Sequence, residues 1–221
     1  MAGSPDRFGY EWDTYSQIRP ESGEQLERWL GPIRLSSFKG LSVLDVGCGM
    51  GRNPYWMLKA GAASVTAVDV DERSLAAAAR NLSSFPNSRV IRNSAYELNP
   101  DRLGYFDRVT CIGVLHHLSD PHTALMKMWR CVLPGGDLVL WCYGRSGNRL
   151  FLPMIQFLRF FGSRLPLPIT RAMAVLATMI AYPVFKCFPW KTIYYRNLKQ
   201  LPFWSLETII FNQFLPKIAH Y

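Results

Sequence analysis

Residues 41–53 read LSVLDVGCGMGRN: a short apolar run, one acid, and glycines at the alternate positions 47, 49 and 51. Leu41, Val43, Leu44 and Val46 suit a strand buried on both faces, as in a parallel sheet. The glycines have no Cβ and tolerate positive φ, so the backbone can turn sharply into a helix while a ligand lies against bare peptide. Strand, glycine turn and helix in that order describe a nucleotide-type pocket, the plain alternative being a tight turn that holds no ligand.

Spacing decides which nucleotide. The dinucleotide fingerprint GxGxxG needs a small residue at position 52 for close helix packing, and Arg52 stands there. The pattern is D-x-G-x-G-x-G, with Asp45 two residues before the first glycine. It resembles the first motif of the class I S-adenosylmethionine (SAM) methyltransferases. The resemblance implies that the turn, Gly47, Cys48, Gly49 and Gly51, faces the methionine part of SAM. It also implies that Asp45 lies near the SAM ammonium, directly or through water.

The rest of residues 38–144 alternates strand and helix with short connections, the signature of an open parallel sheet covered on both sides. Pro54–Ala60 continues from the turn as a helix, and Val65–Val68 forms a second buried strand ending at Asp69. An acid at that strand end is placed to accept both ribose hydroxyls, and Asp71 reads as the N-cap of the helix ERSLAAAARNL. Arg89–Arg92 gives a third strand, and Arg108–Val114 a fourth, followed by LHHLSDP with Asp120 as N-cap and Pro121 as N1. Leu125, Met128 and Val132 are expected on that helix's inward face, LPGG at 133–136 to close it, and Asp137–Cys142 to form a fifth strand.

The LHHL-DP and LPGG-L elements at this spacing resemble the methyltransferase type 11 subgroup typified by the ubiquinone and menaquinone C-methyltransferases. The resemblance covers about residues 38–144 and implies a Rossmann-like α/β sheet in the order 3-2-1-4-5. It completes the implied cofactor set with Val70 beside Asp69, Ser94 and Ala95 after the third strand, and Gly113 at the end of the fourth. Relatives have an acid where Ser94 stands, so any hydrogen bond from Ser94 to adenine would be uncharged. No N-terminal signature of the quinone enzymes is present, so the quinone substrate does not carry over.

Charge divides the chain. Of 25 Lys+Arg and 16 Asp+Glu, residues 1–144 hold 15 of each, whereas residues 145–221 hold 10 bases against Glu207, which accounts for the whole net charge of +9. The expected organisation is an N-terminal arm and helix (1–37), a SAM-binding core (38–144) and an apolar, basic helical extension (145–221). Phe8, Tyr10, Trp12 and Tyr15 in the arm either cap the core or roof the cofactor, and Glu24–Leu30 reads as a short helix stopped by Gly31-Pro32. In the extension, the longest charge-free run, Ala172–Phe185, is interrupted by Pro183 and falls short of the roughly 20 residues a span needs. Two short helices are expected over 149–190, either as a lid with peripheral membrane contact or as an added core layer with a basic rim. Class I enzymes usually end in an antiparallel strand pair, strands 6 and 7. Only TIYY (192–195) is strand-like here, so the pair is expected to be missing, with truncation favoured over loss.

The five cysteines are scattered without a CxxC pair, and the N-terminus carries no apolar signal region. A reduced, cytoplasmic chain is expected, peripheral at the inner membrane face if the extension docks there. Methyl transfer needs alignment and exclusion of water. An oxygen acceptor also needs a base, for which His116 and His117 after the fourth strand are the candidates, with Tyr143 and Tyr10 as weaker pocket residues. A metal site from His116, His117 and His122 is disfavoured, because no carboxylate-rich set accompanies them. The expected function is SAM-dependent methylation of a small or lipid-like acceptor; nucleic acid is disfavoured because the bases interleave with Phe, Leu and Met. The alternative is a silent SAM-fold protein that docks through its basic tail. A NAD-dependent oxidoreductase is disfavoured by Arg52. Acceptor atom and oligomeric state are not legible.

Overall fold

Ser42–Val46 forms β1, the central strand of a five-stranded parallel sheet in the order β3-β2-β1-β4-β5. The other strands are β2 (Ser64–Asp69), β3 (Ser88–Arg92), β4 (Phe106–Ile112) and β5 (Val132–Trp141). The computed structural model describes residues 5–142, 159–160, 162–187 and 198–216. Two compact units result, residues 1–144 with 218–221, and residues 145–217.

Strand alternation sorts the core of the first unit into two layers. Val43, Val65 and Ala67 point to one face, where Leu26, Leu30, Met57, Ala78 and Leu82 cover them. These come from α2 (Glu21–Leu30), α3 (Arg52–Lys59) and α4 (Glu72–Leu82). Leu44, Val46, Val68, Val109 and Cys111 point to the other face, under Leu98, Leu103, Ala124 and Met128. There α5 (Pro100–Leu103) and α6 (Pro121–Trp129) supply the cover. Both N-caps hold: Asp71 accepts from the N–H groups of Arg73 (3.0 Å) and Ser74 (3.1 Å), and Asp120 from that of Thr123 (3.0 Å).

Three expectations are corrected in this unit. The arm is a helix, α1 (Pro5–Thr14), whose fully buried positions are Arg7, Gly9 and Glu11, with Phe8 and Trp12 half-buried one turn apart. LPGG does not end α6. It lies inside β5, where the ladder passes from Phe106↔Val132 to Arg108↔Asp137 and the extra residues leave the pairing. Val132 accordingly belongs to β5, and α6 buries Ala124 and Met128.

In the second unit, α7 (Leu167–Cys187) packs along α8 (Phe203–Phe214). The expected break at Pro183 is corrected: one 21-residue helix runs through it. Proline forfeits a single N–H to the carbonyl four residues back, and at Pro183 that loss falls in the helix's last turns. The segment TIYY and Tyr143 lie outside the described residues.

The irregular start of β5 is secured by an ion pair. The Arg108 guanidinium is buried over the Phe38 ring and donates from Nε (2.6 Å) and Nη2 (2.7 Å) to the two oxygens of Asp137, and from Nη1 to Ser37 Oγ (2.9 Å). Asp137→Ala leaves that cation buried without its carboxylate. The expected cost is about 2 kcal/mol, moderated because Asp137 is half-exposed, and a urea titration should show a lower midpoint at unchanged slope.

Candidate functional site

The turn after β1 is held from beneath by β2. The N–H groups of Gly47 and Cys48 both donate to Val68 O (2.8 and 3.0 Å), which fixes the direction in which the chain leaves the sheet. Gly49 has φ 54°, and a Cβ there would sit 2.9 Å from Trp12 Nε1, so the Trp12 indole lies directly on the bare turn. A Cβ at Gly47, with φ 76°, would meet Val114 Cγ2 at 2.5 Å. Trp12 therefore lies over the turn. Phe8 on the same helix reaches His117, with ring centroids 5.1 Å apart.

Asp69 closes the far side. Its Oδ2 accepts from Gly49 N–H (2.9 Å), and its Oδ1 from the N–H groups of Val70 (2.7 Å) and Asp71 (3.1 Å). Burial raises its pKa, and the three N–H groups oppose that rise. Three of roughly four lone-pair positions are thus engaged, and the carboxylate ties the turn to the end of β2 with one position of Oδ2 left open.

Asp45 lies opposite Thr110 in the β1–β4 register and is almost fully buried. Its Oδ1 accepts from Thr110 Oγ1 (2.5 Å), while its Oδ2 is buried with no hydrogen-bond partner among the described residues. Burial pushes its pKa up to about 7, helped by the negative Asp69 and opposed by the Thr110 hydrogen bond and the positive Arg52. A buried carboxylate oxygen left open at the base of a glycine turn fits a cationic donor, as the SAM ammonium would be.

The remaining expected residues fall around these two acids. Val70 is exposed beside Asp69, and Ala95 is buried after β3. Ser94 Oγ accepts from Tyr96 N–H (3.2 Å), so part of its acceptor capacity is already used. Gly113 has φ 79° and donates its N–H to Trp141 O (2.9 Å). Cys48 is buried, and burial together with Asp69 and Asp45 holds its thiol well above its usual pKa, so it is a wall of the turn rather than a nucleophile. His116 and His117 form a 3-10 turn after β4, both buried, with ring centroids 4.0 Å apart. Among the described residues no group of three His, Cys, Asp or Glu is placed to hold a metal.

Sequence reading missed an aromatic cage. The Arg52 guanidinium lies 5.3 Å from the Trp12 ring centroid and 5.2 Å from that of Trp29, and Trp29 stacks on Trp141 at 4.6 Å. Arg52 thereby fastens α1 to the turn and supplies the positive charge that Asp45 feels. Its one signal in the sequence was an arginine where a dinucleotide site requires a small residue.

Residues 44–140 match the family described as Methyltransferase domain. The chain belongs to the class I SAM-dependent methyltransferases. Among curated relatives, it is 31% identical over 151 residues to the ubiquinone biosynthesis O-methyltransferase of Pseudomonas entomophila, covering 65% of this chain and 62% of that one. The enzyme of that name from Dechloromonas aromatica is 32% identical over 161 residues, covering 68% of this chain and 66% of that one. The chain thus spans a little under two thirds of the length of these relatives. Among solved structures, the DhpI–SAH complex shares the fold at TM-score 0.51 and 21% identity, over 62% of this chain and 66% of that one.

Each acid has measurable consequences. Because Asp45 keeps its proton in the folded chain up to about pH 7 but loses it near 4 when unfolded, stability falls as pH rises between those values and levels off above 7. Asp45→Asn never ionises, so at pH 8 it should melt several degrees above the parent, out of a ceiling of about 4 kcal/mol. The same variant should lose SAM affinity in calorimetry, and the parent's affinity should rise with pH up to about 7; a stabilised variant with unchanged affinity would separate Asp45 from the ligand. Asp69→Ala removes hydrogen bonds worth about 1.5 to 3 kcal/mol each before losses, and calorimetry should read at least a tenfold weaker SAM complex.

Proposed function

We propose that this chain transfers the methyl group of SAM to a hydroxyl oxygen of a small, apolar acceptor. The observation that carries the reading is the buried Asp45 Oδ2, open at the base of the glycine turn and matched to a cation. The relatives' O-methyltransferase names support an oxygen acceptor, and the large apolar side chains exposed on α7 support an acceptor that is itself apolar or lipid-like.

Bound SAM supplies a methyl group on a sulfonium, from which a neutral thioether departs without help from an acid. In this reading Asp45 pairs with the ammonium, the open position of Asp69 Oδ2 receives a ribose hydroxyl, and Val70, Ser94, Ala95 and Gly113 border the adenine and the methyl donor. Trp12, held by Arg52, covers the turn and excludes water, so that in-line alignment supplies most of the rate. A hydroxyl nucleophile must shed its proton as the C–O bond forms, and His116 or His117 receives it.

The test uses the full chain with methyl-labelled SAM and a panel of hydroxylated aromatic and prenylated acceptors, read by mass spectrometry. Label should appear on an oxygen of an apolar member. His116→Gln and His117→Gln should each retain SAM affinity, and the one that removes the base should lower kcat by about 100-fold or more. Turnover untouched in both variants would remove the base from the mechanism, and SAM binding without transfer to any acceptor would overturn the oxygen-acceptor reading.

A further inference from the structure

The helix α7 is built inside out for a protein in water. The side chains it buries are small or hydroxylated, Thr170, Ala174 and Thr178, spaced four apart on one stripe. Their hydroxyls are satisfied within the fold: Thr178 Oγ1 donates to Ala174 O (2.7 Å) and Thr170 Oγ1 to Pro166 O (3.1 Å). The side chains it exposes are large and apolar, Ile169, Leu176, Met179, Ile180 and Val184, with Ile180 74% exposed. Four of these recur at 169, 176, 180 and 184, an uninterrupted stripe along a helix of mean hydropathy 1.4. A soluble core helix shows the reverse arrangement, whereas small residues inward and bulky aliphatics outward is the packing logic of helices in lipid.

Charge selects the surface. The described bases of this unit are Arg159, Arg164, Arg171, Lys186 and Lys199, while Glu207, its acid, is fully buried. Every exposed charge described here is therefore positive, and Arg164 and Lys186 stand near opposite ends of α7. The packing partner selects the orientation, since α7 alone is long enough to cross a bilayer. At 1.5 Å per residue α7 is about 31 Å long, but its packing partner α8, with 12 residues, reaches only about 18 Å against the roughly 30 Å of a hydrocarbon core.

We propose that the outer stripe of α7 docks on an anionic lipid bilayer, the helix lying in the interface plane with Leu176 and Ile180 immersed and the bases at the headgroups. This deepens the apolar-acceptor reading and rests on it only for the purpose of docking; the docking itself is observable without any methyl transfer.

Flotation of the full chain with phosphatidylcholine vesicles, with and without phosphatidylglycerol, tests it. The chain should float with the anionic vesicles in low salt and be released as salt screens the bases. Leu176→Asp/Ile180→Asp should abolish flotation while calorimetry reads the parent's SAM affinity. Should that variant lose helix by circular dichroism, Arg164→Glu/Lys186→Glu, which leaves the apolar stripe intact, should float only at lower salt than the parent. Three results would overturn the proposal: no flotation under any condition, flotation unchanged in every variant, or a dimer in sedimentation that Leu176→Asp/Ile180→Asp dissolves, which would assign the stripe to a second copy. Failure to methylate with flotation intact would count against the proposed function and leave the docking surface standing.

Discussion

The glycine turn depends on one carboxylate whose first partners are backbone N–H groups. Asp69 takes the N–H groups of Gly49, Val70 and Asp71, and so holds the glycine turn at the end of β2. Those N–H groups face the open edge of the sheet and have no ladder partner there, so an apolar residue at position 69 would leave them to be satisfied by water. The turn can then be bare, since its geometry is set from below by Val68 O and from the side by Asp69 rather than by side chains of its own. Bareness is what admits Trp12 to contact with Gly49.

Asp45 presents the opposite economy. Satisfying one oxygen with Thr110 and leaving the other open keeps a buried acid near neutrality, at a standing cost to the fold. Local rules of polar satisfaction would replace it by an apolar residue, as its strand neighbours Leu44 and Val46 already are. In the proposed reading the acid is kept for the cation that binds there, since the positive Arg52 nearby is already engaged with Trp12 and Trp29.

The sheet was legible because short apolar runs alternate with helical stretches over short connections, and its order came with the family resemblance of the glycine turn and of the LHHL-DP and LPGG-L elements. The two acids and the glycines were legible as a pattern, and so were the caps Asp71 and Asp120. What escaped was whatever depended on contact across the chain. α1 escaped because its fully buried positions are Arg7, Gly9 and Glu11, and its half-buried aromatics Phe8 and Trp12 were read as an arm although they stand one helical turn apart. The start of β5 escaped because Pro134-Gly135-Gly136 carries the local chemistry of a turn, while the Arg108–Asp137 pair that pulls it into the ladder joins residues 29 apart. Thr110 beneath Asp45 escaped for the same reason, being an ordinary β-branched strand residue until the register sets it opposite.

The misreading of α7 has a different origin. Proline is penalised in a helix interior for the hydrogen bond it removes, and that penalty is largest where water or a neighbouring turn cannot compensate. Pro183 stands on the exposed side of the helix, four residues from its end, and Met179, whose carbonyl it leaves without a helical N–H, is exposed as well. The rule that a charge-free run must reach about 20 residues measures crossing, and crossing is only one way for an apolar helix to meet lipid. Counting charges along the chain treats every face alike. The buried stripe at 170, 174 and 178 shows that the faces are not alike, and it is the face, rather than the run, that determines which surroundings α7 is made for.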